Sequence, residues 1–157
     1  MSREALVATD QASVLIAEDD RFDQLIIKRA FKAAQLGVAV RFVEHGEELL
    51  NYLRRSTAAD DAVSPVLPAV IFLDLNMPVV DGWEALRQLR AEPQWAGIPI
   101  IVMSTLTRDG DIARIYASGA NSYLVKPTSF NEMVSAIRSC AAQWLTPSAT
   151  GAAAQPH

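Results

Sequence analysis

A single cysteine, Cys140, leaves this 157-residue chain unable to form an intrachain disulfide, so its fold cannot rest on a cross-linked framework. Lys and Arg are scattered rather than clustered, and the formal net charge is −4. That balance argues against nucleic acid or an anionic membrane surface as the main partner. No apolar run approaches the ~18 residues of a membrane span. The opening MSREALVATD has neither the basic start nor the apolar centre of a signal peptide, so a cytoplasmic protein is expected. The seven glycines are dispersed, with neither G-x-G-x-x-G nor G-x-x-x-x-G-K-[ST] among them, which counts against a nucleotide-binding loop. What the chain does have is apolar content: 50% of its residues, enough for one compact domain with a real core.

Short apolar runs alternate with helical stripes. The runs at 14–17, 40–43, 69–73, 98–103 and 122–125 are apolar on both faces, as strands buried on both sides are. Helical spacing joins Phe22, Leu25, Ile26 and Ala30, with Gly37 as a stop; Leu49, Leu50 and Leu53; Trp83, Leu86 and Leu89, ending near Pro93; and Ile112, Ile115 and Tyr116, closed by Gly119. The clearest stripe runs from Phe130 through Met133, Val134, Ile137 and Ala141 to Trp144, behind a Ser129/Glu132 capping box. Five β-α units predict an α/β, doubly wound sandwich of flavodoxin-like type, with a parallel sheet in the order 2-1-3-4-5. The domain is predicted over 13–146, preceded by an N-terminal extension (1–12) and followed by a disordered tail (147–157); 56–68 reads as an extended loop.

In open α/β sheets ligands bind outside the carboxyl ends of the strands. Four strands end there in polar residues: Glu18-Asp19-Asp20 after the first, Asp74 after the third, Ser104-Thr105 after the fourth, and Lys126-Pro127 after the fifth. Each has an ordinary reading alone: acids opening a helix, strand-end hydroxyls, a solvated lysine. Asp74 is harder to dismiss, because a carboxylate ending an apolar run needs a partner or a functional edge. Clustered carboxylates cannot all stay ionised without a counter-charge, and a hard divalent cation such as Mg²⁺ supplies one. Asp74, Mg²⁺, a hydroxyl and an ammonium together suit the receipt of a phosphoryl group, with Asp74 as nucleophile.

The motifs IAEDD, LDLNMPVVDGWEAL, IVMSTL and GANSYLVKP, in this order over roughly 14–145, resemble the receiver domain of two-component response regulators. The resemblance implies Asp74 as phosphoacceptor. It implies a Mg²⁺ site at Asp19 and Asp74, with Glu18 acting through water and Asn76 giving its backbone carbonyl. It further implies Ser104 as the hydroxyl that turns to the phosphate, Lys126 as its charge partner, Tyr123 as an aromatic switch, and a cis peptide between Lys126 and Pro127. Phosphorylation would then switch the face formed by helix 4, strand 5 and helix 5, which could also support a homodimer that Trp144 and Leu145 join or else leave to cap their own core. The partners implied are a histidine kinase and a downstream protein or phosphotransfer protein, with no enzyme activity beyond assisting its own phosphorylation and dephosphorylation. The long loop before strand three, GANSYLVKP and the ending AAQWL are similar to stand-alone regulators paired with bacteriophytochrome-type kinases. A pseudo-receiver and an aspartyl phosphohydrolase are the alternatives; the latter needs an acid where Asn76 stands.

Overall fold

A computed structural model describes residues 12–57, 67–77, 80–105 and 108–145. Strands and helices alternate as β1 (Ser13–Ala17), α1 (Arg21–Ala34), β2 (Ala39–Val43), α2 (Gly46–Ser56), β3 (Val70–Asp74), α3 (Gly82–Ala91), β4 (Ile100–Ser104), α4 (Asp109–Ala117), β5 (Ser122–Val125) and α5 (Phe130–Trp144). All pairings are parallel, in the expected order β2-β1-β3-β4-β5. The extension before Ala12, the tail from 147 and most of the predicted loop lie outside the described residues.

Alternate residues of each central strand point to opposite faces, and the apolar strands therefore serve two cores. Leu15, Ala17, Ile71, Leu73, Ile100 and Val102 pack with α2, α3 and Ile115 of α4. Val14, Ile16, Val70, Phe72, Ile101 and Met103 pack with α1 and α5. Phe31 of α1 meets Phe72 edge-on, with ring centroids 5.7 Å apart. Each fully buried Leu, Ile or Phe contributes on the order of 1.5–3 kcal/mol, so β3 and β4, both buried throughout, are strands on which both layers depend. Trp144 and Leu145 pack against the α1/α5 core, which they cap.

Several boundaries move relative to the sequence reading. On α1 the buried seam is Ile27, Ala30, Phe31 and Ala34, whereas Phe22 is 68% and Leu25 43% exposed. Apolar residues occur on both faces of this helix, and its phase is set by the Asp20 cap and by Phe31 against Phe72. The helix leaves at Gln35, left-handed at φ 56°, two residues before the glycine. β4 begins at Ile100 because Pro99 has no N–H for the ladder; its carbonyl instead accepts from the Ile71 N–H. Tyr116 and Phe130 are exposed, leaving Ile115 as the one buried residue of α4. α3 stops at Ala91 because Glu92, preceding Pro93, is extended.

Two glycines fix the chain that follows β3. The Gly82 N–H donates to the Leu75 carbonyl at 3.0 Å, and the Gly46 N–H to the Val80 carbonyl at 3.0 Å. A Cβ on Gly82 would lie 2.3 Å from the Leu75 Cα and 2.5 Å from the Asp74 carbonyl oxygen, both backbone atoms with little room to yield. Gly82→Ala is therefore expected to destabilise the fold by about 1–3 kcal/mol, read from the midpoint of urea unfolding; an unchanged midpoint would mean that the segment after Asp74 shifts freely.

Candidate functional site

The carboxyl ends of β1, β3, β4 and β5 meet at one rim, and each delivers a polar residue there. Glu18 follows β1 directly and is fully buried. Its N–H donates to the Val43 carbonyl at 2.9 Å, and its carbonyl accepts from the Gln24 side-chain amide. Its Oε2 accepts from the Asp20 N–H at 3.1 Å. Asp20 itself caps α1, its Oδ1 accepting from the Asp23 N–H at 3.0 Å. The acidic triplet thus divides its work: Asp20 closes the helix, Glu18 turns inward, and Asp19 remains exposed at the rim.

Asp74 is the last residue of β3 and only 3% exposed. Its Oδ1 accepts from the Asn76 N–H at 3.0 Å, which folds Asn76 back toward the carboxylate. Ser104 ends β4, 1% exposed, and its carbonyl accepts from the Lys126 N–H at 2.9 Å, tying the end of β5 to the rim.

The Lys126 side chain crosses this rim to the acids. Its ammonium donates to Asp74 Oδ2 at 3.1 Å and to Asp23 Oδ2 at 3.3 Å, and lies 2.9 Å from Glu18 Oε1. The Glu18 contact is off the axis of an aligned hydrogen bond, so it is one of charge and leaves that buried oxygen open to a further partner. Burial pushes the Glu18 carboxyl up to about 7; the adjacent Lys126 ammonium opposes this and the Asp74 charge adds to it. Burial alone would lower the Lys126 ammonium, but Glu18 and Asp74 more than offset it and hold it above the ordinary lysine range.

Glu18, Asp19 and Asp74 each present a carboxylate oxygen within 4.8 Å of the others. An all-oxygen donor set with excess negative charge and a buried oxygen lacking an aligned donor fits a hard divalent cation. Tyr123 lies on β5, half-buried against the α2/α3/α4 core, its hydroxyl buried without a hydrogen-bond partner among the described residues. Burial, then the charge of Asp111, raises its pKa.

The site therefore gathers Glu18, Asp19, Asp74, Asn76, Ser104 and Lys126. One expectation is corrected: no described peptide bond is cis, so Lys126–Pro127 is trans. Trans is the form an X–Pro bond favours by ~0.5–1 kcal/mol, and with it the Lys126 N–H still reaches Ser104 and its ammonium still reaches Asp74. Asp23 is the participant that sequence reasoning missed. As an acid in the first turn of a helix it carries no signal in sequence beyond helix-dipole complementarity.

The model of the response regulator receiver domain matches residues 14–138, and the chain belongs to that family. Receiver domains are phosphoacceptor signalling modules of two-component systems and hold a divalent metal at an acidic pocket. More particularly, this chain is similar to the response regulator RPA3017 in red light signalling of R. palustris: 38% identity, TM-score 0.78, covering 87% of this chain and 95% of that one. It is also similar to the phosphorylated cyanobacterial phytochrome response regulator RcpA, at 28% identity and TM-score 0.74 over 87% and 95% of the two chains. The probable methanogenesis regulatory protein FilR2 of Methanothrix harundinacea is 33% identical over 144 residues, 92% of this chain and 90% of that protein. The protein is thus a receiver-domain response regulator, homologous to phytochrome-associated ones.

A divalent cation held by the folded arrangement of Glu18, Asp19 and Asp74, and not by the unfolded chain, would raise the thermal midpoint. The gain is about 2.7 kcal/mol at 100 times the dissociation constant. Asp74→Asn should remove most of that shift in differential scanning calorimetry, and an equal shift in both proteins would place the cation elsewhere.

Proposed function

We propose that Asp74 accepts a phosphoryl group from a phosphohistidine of a histidine kinase, with Mg²⁺ at Asp19, Asp74 and the Asn76 carbonyl and Glu18 acting through water. The observation that carries this reading is a nearly inaccessible Asp74 held at a strand end, 3.1 Å from the Lys126 ammonium and beside two further acids. A carboxylate oxygen of Asp74 attacks phosphorus. The P–N bond to the imidazole breaks, its electron pair stays on the leaving nitrogen, and an acyl phosphate forms on Asp74. Lys126 neutralises one equatorial oxygen, and the Ser104 hydroxyl donates to another. The cation, when bound, supplies charge neutralisation to the transferring oxygens. Asn76 in place of an acid disfavours a phosphohydrolase, and the full set of acids and the lysine disfavours a pseudo-receiver.

Incubation with acetyl phosphate and Mg²⁺ is expected to add one phosphoryl mass to the intact protein and none to Asp74→Asn. An adduct that survives that substitution, or no adduct on the native chain, would overturn the assignment.

The output face is α4, β5 and α5, with the red-light and phytochrome regulators as models for kinase pairing. Three large apolar residues stand exposed on these elements: Tyr116 (47%), Val125 (44%) and Phe130 (43%). α4 has no side-chain N-cap bond and one buried residue, so it is the helix most readily moved. When Ser104 turns toward the phosphoryl group, Tyr123 follows into the vacated space and α4 shifts with it. A second copy is the partner this face would take up. Light scattering at micromolar concentration should give twice the chain mass with beryllofluoride bound; a single-chain mass with and without it would rule the dimer out.

A further inference from the structure

Asp23 stands in the first turn of α1, 103 residues from Lys126 along the chain, yet its Oδ2 receives a hydrogen bond from that ammonium at 3.3 Å. Its backbone is fixed by the Asp20 cap, and its side chain is 39% exposed. The ammonium is thus ringed by Glu18, Asp23 and Asp74. Their claims on it do not survive phosphorylation equally. An acyl phosphate on Asp74 replaces that carboxylate with the anionic oxygens of the phosphoryl group, and a divalent cation would draw on Glu18. Among the ion pairs of the described residues, Asp23 is then the remaining carboxylate bound to Lys126. It belongs to no metal-binding group among them.

Resting on the phosphoacceptor reading above, we infer that Asp23 is a positioning residue: it competes with the phosphoryl oxygens for Lys126 and so limits how firmly the phosphorylated state is held. A lysine has three N–H donors, and two are already committed, to Asp23 and Asp74. An incoming equatorial oxygen must draw the ammonium away from Asp23 or share it with a second anion, which like-charge repulsion between the two disfavours. The Asp23–Lys126 pair is not tightly packed on its apolar side. A cavity of about 50 Å³ lies beside the pair, lined by Asp23, Ile27, Met103, Lys126 and Met133, and two flexible methionines bound it.

The test is beryllofluoride binding in saturating Mg²⁺, followed by ¹⁹F NMR of the bound anion. Asp23→Asn keeps the shape and removes the charge; it should tighten binding by about two- to five-fold, the scale of one partly exposed ion pair. Asp23→Glu, which restores the charge, should return the affinity toward that of the native chain. In a Lys126→Met background Asp23→Asn should have no effect. A native chain that binds the anion no more weakly than Asp23→Asn overturns the inference alone. So does an equal gain in the Lys126→Met background, which would make Asp23 a general electrostatic influence. A native chain that shows no bound anion removes the phosphoacceptor reading as well.

Discussion

One ammonium among carboxylates governs this molecule. Glu18 and Asp74 are buried at the ends of adjacent strands, a placement that would be costly for two like charges without compensation. Lys126 reaches them from the far side of β4 and partly supplies it. The excess of negative charge that remains is what makes the rim receptive to a cation, and the cation in turn is what would let an anionic group approach. Removing the lysine would leave buried acids unpaired; removing an acid would weaken the metal site.

The scaffold serves that arrangement by holding strand ends still. Parallel pairing brings β1, β3, β4 and β5 out at one edge, and the double core clamps the central strands from both sides. The chain beyond Asp74 is then pinned by backbone contacts from Gly82 and Gly46, each too close for a side chain. In the proposed phosphoryl transfer, where Asp74 must meet a phosphorus atom in line, this rigidity is a gain. The opposite is true at α4, where Arg114 stacks 3.8 Å over the Trp83 ring and only Ile115 is buried.

Much of this could be read from the residues in order. Apolar runs ending in acid, hydroxyl and lysine at successive strands placed Asp74, Ser104 and Lys126 at one edge, because strand direction and sheet order leave little choice. Two kinds of feature were hidden. The phase of α1 could not be taken from Phe22 and Leu25, since the apolar residues of that helix spread over more than one face and its seam depends on contact with Phe72. Asp23 was invisible for a related reason: its meaning lies in a partner on another strand, and local sequence records only an acid near a helix start.

The slight anchoring of α4 also sets the strength of signal the protein can answer. One buried isoleucine holds roughly 1.5–3 kcal/mol, and a cation–π stack such as Trp83–Arg114 adds about 0.5–2 kcal/mol. Together they come to about 2–5 kcal/mol, which overlaps the ~1–3 kcal/mol typical of coupling between two sites. Moving a helix held by a wider apolar face, such as the four buried residues of α5, would exceed that range several-fold. An effector whose contacts distinguish two placements of α4 by a few kcal/mol can therefore change which one predominates, while the two cores beneath it stay closed.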